Sequence, residues 1–227
     1  MNAIEKNLRF IAGNVIGNSP ILFPLNYYRG AYKEKIINPD SDCCIEGFQR
    51  SGSSFFVLLF KRANSYIKLA HHTHSSTQVI KAVGYKVPTM VLIRQPEDVI
   101  ASLLALDSKL KVNVALGAYI SFYRNILPYK KDFMIVDFED VTETPALVVS
   151  EFNKRFDIRL TPPEFSEKRL NRIKENIKKN KDVYMSPLPT AEKEKVKVLF
   201  RSEIENNPKL VTANNLYKQY YEHRHVF

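Results

Sequence analysis

Continuous apolar runs alternate with helical periodicity over the first two-thirds of this chain. The apolar runs at 43–45, 66–70, 87–93 and 133–136 predict short buried strands. The remaining pattern predicts helices at about 2–12, 26–36, 53–66, 75–83, 96–106, 111–129, 145–156, 164–179, 190–205 and 208–222. Strands that alternate with helices predict an α/β fold, a three-layer sandwich around a parallel sheet of about four to five strands. The last third of the chain is expected to be helical.

No internal repeat, low-complexity linker or domain boundary interrupts this pattern. We therefore expect a single domain over residues 1–227, with the functional core at about 42–156 and a mainly helical part at 157–227.

The net charge is +10, from 34 basic and 24 acidic residues. A basic chain favours anionic partners, which include nucleic acid, a membrane surface and a small polyanionic ligand. Composition does not choose among these three. The densest basic segment, 168–181, is typical of a solvated helix face.

The two cysteines are the neighbours Cys43 and Cys44, which lie in an apolar run. Adjacent cysteines rarely bridge, so we expect buried thiols in a reducing compartment. Asn14, Asn18 and Pro20 interrupt the apolar residues near the N-terminus, so no signal peptide is predicted. No apolar run approaches the ~18 residues of a membrane span. A cytoplasmic protein without a transmembrane segment is expected.

The segment 42–54 combines an apolar strand, a loop bounded by Gly47 and Gly52, and the start of a helix. Loop N–H groups and the first helical turn can converge on an anion in this arrangement. Four residues separate the two glycines, as in the P-loop pattern G-x-x-x-x-G-K-S/T, but no lysine follows Gly52. Arg50 is the cation here instead. An ordinary strand–turn–helix with polar turn residues is the alternative.

Two further strand ends carry polar residues. Arg94 follows the strand at 87–93, and Ser102 lies about two turns into the next helix, where the two side chains can share a second anion. An arginine that pairs with a carboxylate is the alternative. Phe138 lies among acidic residues after the strand at 133–136, where a base could stack. A core aromatic is the alternative for this residue.

Three histidines, His71, His72 and His74, occur within four residues after an apolar run. Metal ligation, an inert surface tract and a general base are all open, although no carboxylate or cysteine nearby completes an obvious metal site.

These segments together resemble the sulfotransferases that use 3′-phosphoadenosine-5′-phosphosulfate (PAPS). Residues 47–55 are similar to the family's 5′-phosphosulfate loop, roughly P-K/R-S-G-T-T/S-W/F, and residues 94–102 are similar to its 3′-phosphate motif, R-x-P-x-D-x-x-x-S. The pair Thr73-His74 lies where the family has its Thr-His base. Residues 136–145 resemble its Y-E-D-L/M…P segment. Four motifs in the family's order span about 42–156.

The resemblance implies a P-loop NTPase-like fold, PAPS as donor and no metal. It implies that His74 takes the proton of a hydroxyl acceptor, with an amine as the less favoured acceptor. Arg50 would steady the leaving oxygen, and Phe138 would meet the adenine. The donor's two anionic groups would be held by Arg50, Ser51, Gly52, Ser53, Ser54, Arg94 and Ser102.

This chain departs from the family at several positions. Arg50 replaces the usual lysine, and a guanidinium is a poor acid, so an electrostatic role is expected. The late Arg-Lys-Gly motif is not evident, and 178–181 (Lys-Lys-Asn-Lys) is a weak substitute. Which of the three histidines is the base stays open, with His74 favoured.

Two other functions are weighed against this one. A P-loop phosphotransferase that uses ATP and magnesium conflicts with the missing lysine. A non-catalytic nucleic-acid-binding protein leaves the ordered motifs unexplained, so no nucleic-acid partner is expected. The acceptor, a small molecule, a glycan or a lipid, is not readable from the sequence, and neither is the oligomeric state. Segments 13–41, 107–125 and 160–190 are expected to shape the acceptor site.

Overall fold

The computed structural model describes residues 1–28, 34–164 and 191–225 of the chain. Its described strands form one parallel sheet in the spatial order β2-β1-β3-β4. The strands are β1 Cys43–Gly47, β2 Leu69–His71, β3 Thr89–Ile93 and β4 Met134–Asp137. The predicted α/β class and parallel sheet are confirmed.

The described α-helices are numbered here in chain order. They are α1 Ala3–Asn18, α2 Ser53–Ala63, α3 Ser76–Gly84, α4 Pro96–Leu106, α5 Val112–Ile126, α6 Phe138–Glu143, α7 Pro145–Phe156, α8 Ala191–Glu205 and α9 Lys209–Tyr221. Short 3-10 helices cover Phe23–Tyr28 and Leu127–Tyr129. The predicted helix at 164–179, the basic segment 168–181 and the tetrapeptide at 178–181 lie outside the described residues.

Helices cover both faces of the sheet because its strands are apolar on both sides. Val91, Ile93 and Ile135 pack with α3, α4, α5 and α9. Met90 and Leu92 face the other way and pack with α2, α6 and α7. This three-layer arrangement explains why the strands read as continuous apolar runs rather than alternating ones.

Local sequence sets several helix boundaries. Pro96 opens α4 and is followed by two acidic residues in the first turn, and Pro145 opens α7. Asp137 caps α6, and its backbone N–H bonds the side chain of Asp140 in return. The segment 137–140 is therefore both a strand end and a helix start.

The first helix is longer than predicted, since α1 continues to Asn18 instead of ending near residue 12. Its asparagines do not break it because their amides are bonded. Asn7 donates to the carbonyls of Ala3 and Lys109, and Asn14 donates to the carbonyl of Phe10. The predicted helix at 26–36 is replaced, over the residues described, by the 3-10 turn at Phe23–Tyr28.

Both cysteines are free and buried on opposite faces of β1, Cys43 in the cluster with α2 and Cys44 in a smaller one beside α3. Burial raises the pKa of Cys43 to about 12. Within the described residues, no helix has the length and apolar character needed to cross a bilayer.

Candidate functional site

The carboxyl ends of all four strands meet at one edge of the sheet, and the loop after β1 lies at its centre. Gly47 ends β1 against β3, where an added Cβ would lie 2.7 Å from the carbonyl oxygen of Leu92. Gly52 has φ 89°, which favours glycine, and its Cα faces the ring of Phe138. The two glycines are therefore required by a close approach and by backbone conformation.

Side chains of α5 hold the loop after β1 in place. Phe48 is buried and makes an edge contact with Tyr119, with 5.4 Å between ring centroids. The hydroxyl of Tyr123 donates to the carbonyl oxygen of Leu92 (2.9 Å) and lies 3.5 Å from the hydroxyl of Ser51. The sequence analysis missed both tyrosines, although their spacing of four places them on one face of α5.

Among the three loop serines, Ser51 and Ser53 are buried and Ser54 is exposed. No side chain caps the start of α2, a property it shares with α4, α5, α7 and α9. The N–H groups of the first turn of α2 therefore keep the partial positive charge that binds anions at helix starts.

Arg50 connects the loop to the helix after β3. Its Nε donates to Oγ of Ser102 at 2.9 Å, and its carbonyl oxygen accepts from Nη1 of Arg94 at 3.1 Å. Burial and the charge of Arg94 lower the pKa of Arg50. Two guanidinium groups held close together favour an anion beside them.

Arg94 stacks on an aromatic ring, with its Cζ 3.8 Å from the centroid of Phe138. Its Nε is buried and has no hydrogen-bond partner among the described residues. Burial lowers the pKa of Arg94, and the nearby carboxylates of Asp98, Glu139 and Asp137 raise it. The Nε of Arg94 is therefore a buried donor that no described residue satisfies.

The histidines lie after β2, at the edge of the sheet. The Nδ1 of His74 is 2.8 Å from the carbonyl oxygen of Gly47. A carbonyl only accepts, so Nδ1 carries the hydrogen and Nε2 carries the lone pair of the neutral ring. His74 is thereby oriented as a proton acceptor.

The two other imidazoles bond each other. Nδ1 of His71 is 2.7 Å from Nδ1 of His72, and Nε2 of His72 is 3.1 Å from Oγ of Ser54. Burial lowers the pKa of His71 to about 4 and that of His72 to about 2. Burial also lowers the pKa of His74, and the nearby charge of Arg50 adds to this effect. Each of these shifts favours the neutral form of the ring.

Backbone strain is concentrated here. Arg50, His72 and His74 have φ of 72°, 57° and 51°, and among the described residues only Lys86 and Asp157 share this left-handed region without being glycine. Each such residue costs of order 1–2 kcal/mol, a cost found most often at functional positions.

Glu46 holds residues 71–75, here called the histidine loop, in place. Glu46 was not among the site residues predicted from the sequence. This fully buried carboxylate accepts from the N–H and hydroxyl of Thr73, the N–H of His74 and the amide of Gln78. Burial raises the pKa of Glu46 to about 7, and the bonds from Thr73 and His74 oppose this rise. A carboxylate inside an apolar strand was the signal available in the sequence.

In the part of the chain that the structure describes, no three His, Cys, Asp or Glu side chains are placed to hold a metal ion. The predicted site residues do converge at one edge of the sheet. Arg50, Ser102, Arg94 and Phe138 form one connected group, and His72 links the histidine loop to Ser54.

No protein-family model matches this sequence, and no curated protein matches it. A search of solved structures finds the crystal structure of a mouse sulfotransferase, SULT7A1, complexed with PAP. The match covers 82% of this chain and 92% of that one, with 9% identity and a TM-score of 0.42. No residue role in this chain follows from a likeness at that level.

Proposed function

We propose that this chain is an enzyme that transfers a sulfuryl group from PAPS to a hydroxyl acceptor. One observation carries the proposal. Two arginines from neighbouring strand ends are joined because Arg94 donates to the carbonyl oxygen of Arg50, whose side chain in turn donates to Ser102. Beside them lies a histidine whose Nδ1 is bonded to Gly47, which leaves its Nε2 lone pair unbonded. This group matches the order of the four sulfotransferase-like motifs in the sequence.

The described residues fit a nucleotide that bears two anionic groups. The uncapped start of α2 and the exposed hydroxyl of Ser54 suit the 5′-phosphosulfate. The guanidinium of Arg94, whose Nε has no partner among the described residues, suits the 3′-phosphate. Ser102 is buried and accepts from Arg50, so we assign it the role of holding Arg50 in place. Phe138, already stacked by Arg94, is proposed to meet the adenine. Because Ser51 and Ser53 are buried, we assign their part to backbone groups rather than hydroxyls.

The bound donor supplies a sulfuryl group on a phosphate leaving group. His74 accepts the proton of the acceptor hydroxyl at Nε2, while the bond from Nδ1 to Gly47 keeps the ring in the required tautomer. Arg50 provides a fixed positive charge for the leaving oxygen and donates no proton. Glu46 positions His74 by accepting its backbone N–H. The protein supplies position and charge, as such transfers require.

Calorimetric titration tests the donor site. The ligands are adenosine 3′,5′-bisphosphate (PAP), 5′-AMP and ATP, each with and without magnesium. The proposal expects tight binding of PAP that needs the 3′-phosphate and does not need the metal. A preference for ATP with magnesium would replace the proposal with a phosphotransferase. Strongly salt-dependent binding to DNA or RNA without PAP binding would replace it with a nucleic-acid-binding protein.

A further inference from the structure

An open cavity of about 430 Å³ lies beside the histidine loop, on the outer face of α2. Its lining is Ser54, Val57, Leu58, Lys61, Arg62 and His72. The α2 residues are spaced by three and four positions, so they share one face of the helix. The cavity therefore starts at the proposed phosphosulfate loop and runs along α2 away from it.

The lining changes character along this direction. Ser54 and His72, which bond each other, form the polar end next to the loop. Val57 and Leu58 form an apolar middle. Lys61 and Arg62 are exposed at the far end. The seven steps along the helix from Ser54 to Lys61 rise about 10 Å, so the cations lie at about that distance from the polar end.

The two cations have no partner of their own. Neither Lys61 nor Arg62 makes a salt bridge or side-chain hydrogen bond with another described residue. The charges of Lys61 and Lys35 also reach His71 and His72, whose pKa they lower. Glu46, the acid bonded to the histidine loop, is fully buried and satisfied by its own donors. Over the described part of the chain, the positive charge at the mouth of the cavity thus has no ion-pair partner.

We propose that this cavity binds the acceptor, and that the acceptor is an anionic molecule. It carries its hydroxyl at one end, an apolar body, and a carboxylate or sulfate about 10 Å away from the hydroxyl. The hydroxyl lies at the Ser54–His72 end, next to the ring of the proposed base His74, whose centroid is 5.7 Å from that of His72. The body packs on Val57 and Leu58, and the anionic group pairs with Lys61 and Arg62. This inference rests on the proposed function, because it names the substrate class of the same site.

The test uses two phenols that differ only in charge. These are 3-(4-hydroxyphenyl)propanoate and its uncharged amide, 3-(4-hydroxyphenyl)propanamide, each titrated at pH 7 into the complex of the protein with PAP. We expect the acid to bind about 10-fold more tightly than the amide, the scale of one charge-assisted bond. Equal affinities, tighter binding of the amide or no binding of either phenol overturns the inference.

Variants locate the effect. Lys61→Gln with Arg62→Gln is expected to remove the difference between acid and amide. The control pair, Arg9→Gln with Lys68→Gln, removes the same number of positive charges at exposed positions outside the cavity lining. This pair is expected to retain the difference in affinity between acid and amide. A preference for the acid that survives in the first pair places the anion elsewhere and overturns the inference. Failure of PAP itself to bind is a failure of the proposed function and is seen before either phenol is added.

Discussion

Arg50 and Ser102 are 52 positions apart, yet the Nε of Arg50 donates to Oγ of Ser102 at 2.9 Å. The bond joins the loop after β1 to the helix after β3, so the two proposed anion-binding segments are one physical unit. Groups that share a partner are not independent in their effect on a ligand.

A double-mutant cycle tests this coupling. Ser102→Ala is expected to weaken PAP binding by ~0.5–1.5 kcal/mol, the worth of a typical hydrogen bond. Arg50→Gln is expected to cost more, because a charge is lost. The double variant should cost less than the sum of the two, by at least ~0.5 kcal/mol. Calorimetry measures all four affinities, and strict additivity would show that the two side chains act separately.

His74→Ala is expected to abolish transfer and to leave PAP affinity unchanged, because we propose that Nε2 serves the acceptor and that other residues bind the donor. His223→Ala, at an exposed position, is the matched control and should be fully active. Because burial lowers the pKa of His74, the acid-side fall of wild-type kcat/KM should lie at lower pH than that of an ordinary imidazole. Full activity of His74→Ala would rule out this base.

Arg94→Lys keeps the positive charge but loses the planar group that stacks on Phe138 and bonds the carbonyl of Arg50. PAP affinity should fall by ~1.5–3 kcal/mol, the scale of a hydrogen bond to a charged group. The affinity for 5′-AMP, which lacks the 3′-phosphate, should change far less. Equal losses for both nucleotides would move the second anion site away from Arg94.

Glu46→Gln should destabilise the fold by ~1–3 kcal/mol, because an amide NH₂ would face donors that the carboxylate now accepts. Urea unfolding at pH 7 measures this loss of stability, and Glu143→Gln at an exposed position is the control.

Burial raises the folded-state pKa of Glu46 to about 7 from 4.5. The folded state therefore binds more protons between these values, so this contribution to stability is present below pH 4.5 and is lost as the pH rises through 7.

The histidine loop should make the protein acid-sensitive. Folding lowers the pKa of His71 to about 4 and that of His72 to about 2, from 6.5. Below pH 6.5 the unfolded chain takes up protons on both histidines that the folded chain does not bind, and these two groups outweigh the opposite contribution of the single Glu46. The free energy of unfolding should therefore fall as the pH drops from 6.5 towards 4. His72→Asn should flatten this dependence in urea titrations. An unchanged slope would show that His72 is protonated in the folded state.

The sequence by itself determined the layered architecture. Its strands are continuous apolar runs, because both faces are covered, and Pro96 and Pro145 mark helix starts through local geometry that no distant residue alters. Gly47 and Gly52 marked the ends of the loop in the sequence, although the close approach of Leu92 that requires Gly47 is a tertiary contact. The order of the motifs along the chain was likewise enough to place Arg50, Arg94 and Phe138 at strand ends.

Only the tertiary structure decided which of those residues touch. The strand order β2-β1-β3-β4 brings Arg50 to Ser102, and it brings Glu46 in β1 beside the histidine loop that follows β2. The tautomer of His74 depends on the carbonyl of Gly47, 27 positions away. Periodicity reports neighbours within one strand or a few helical turns, whereas the hydrogen-bond partners of a buried polar group come from whichever strand packs beside it.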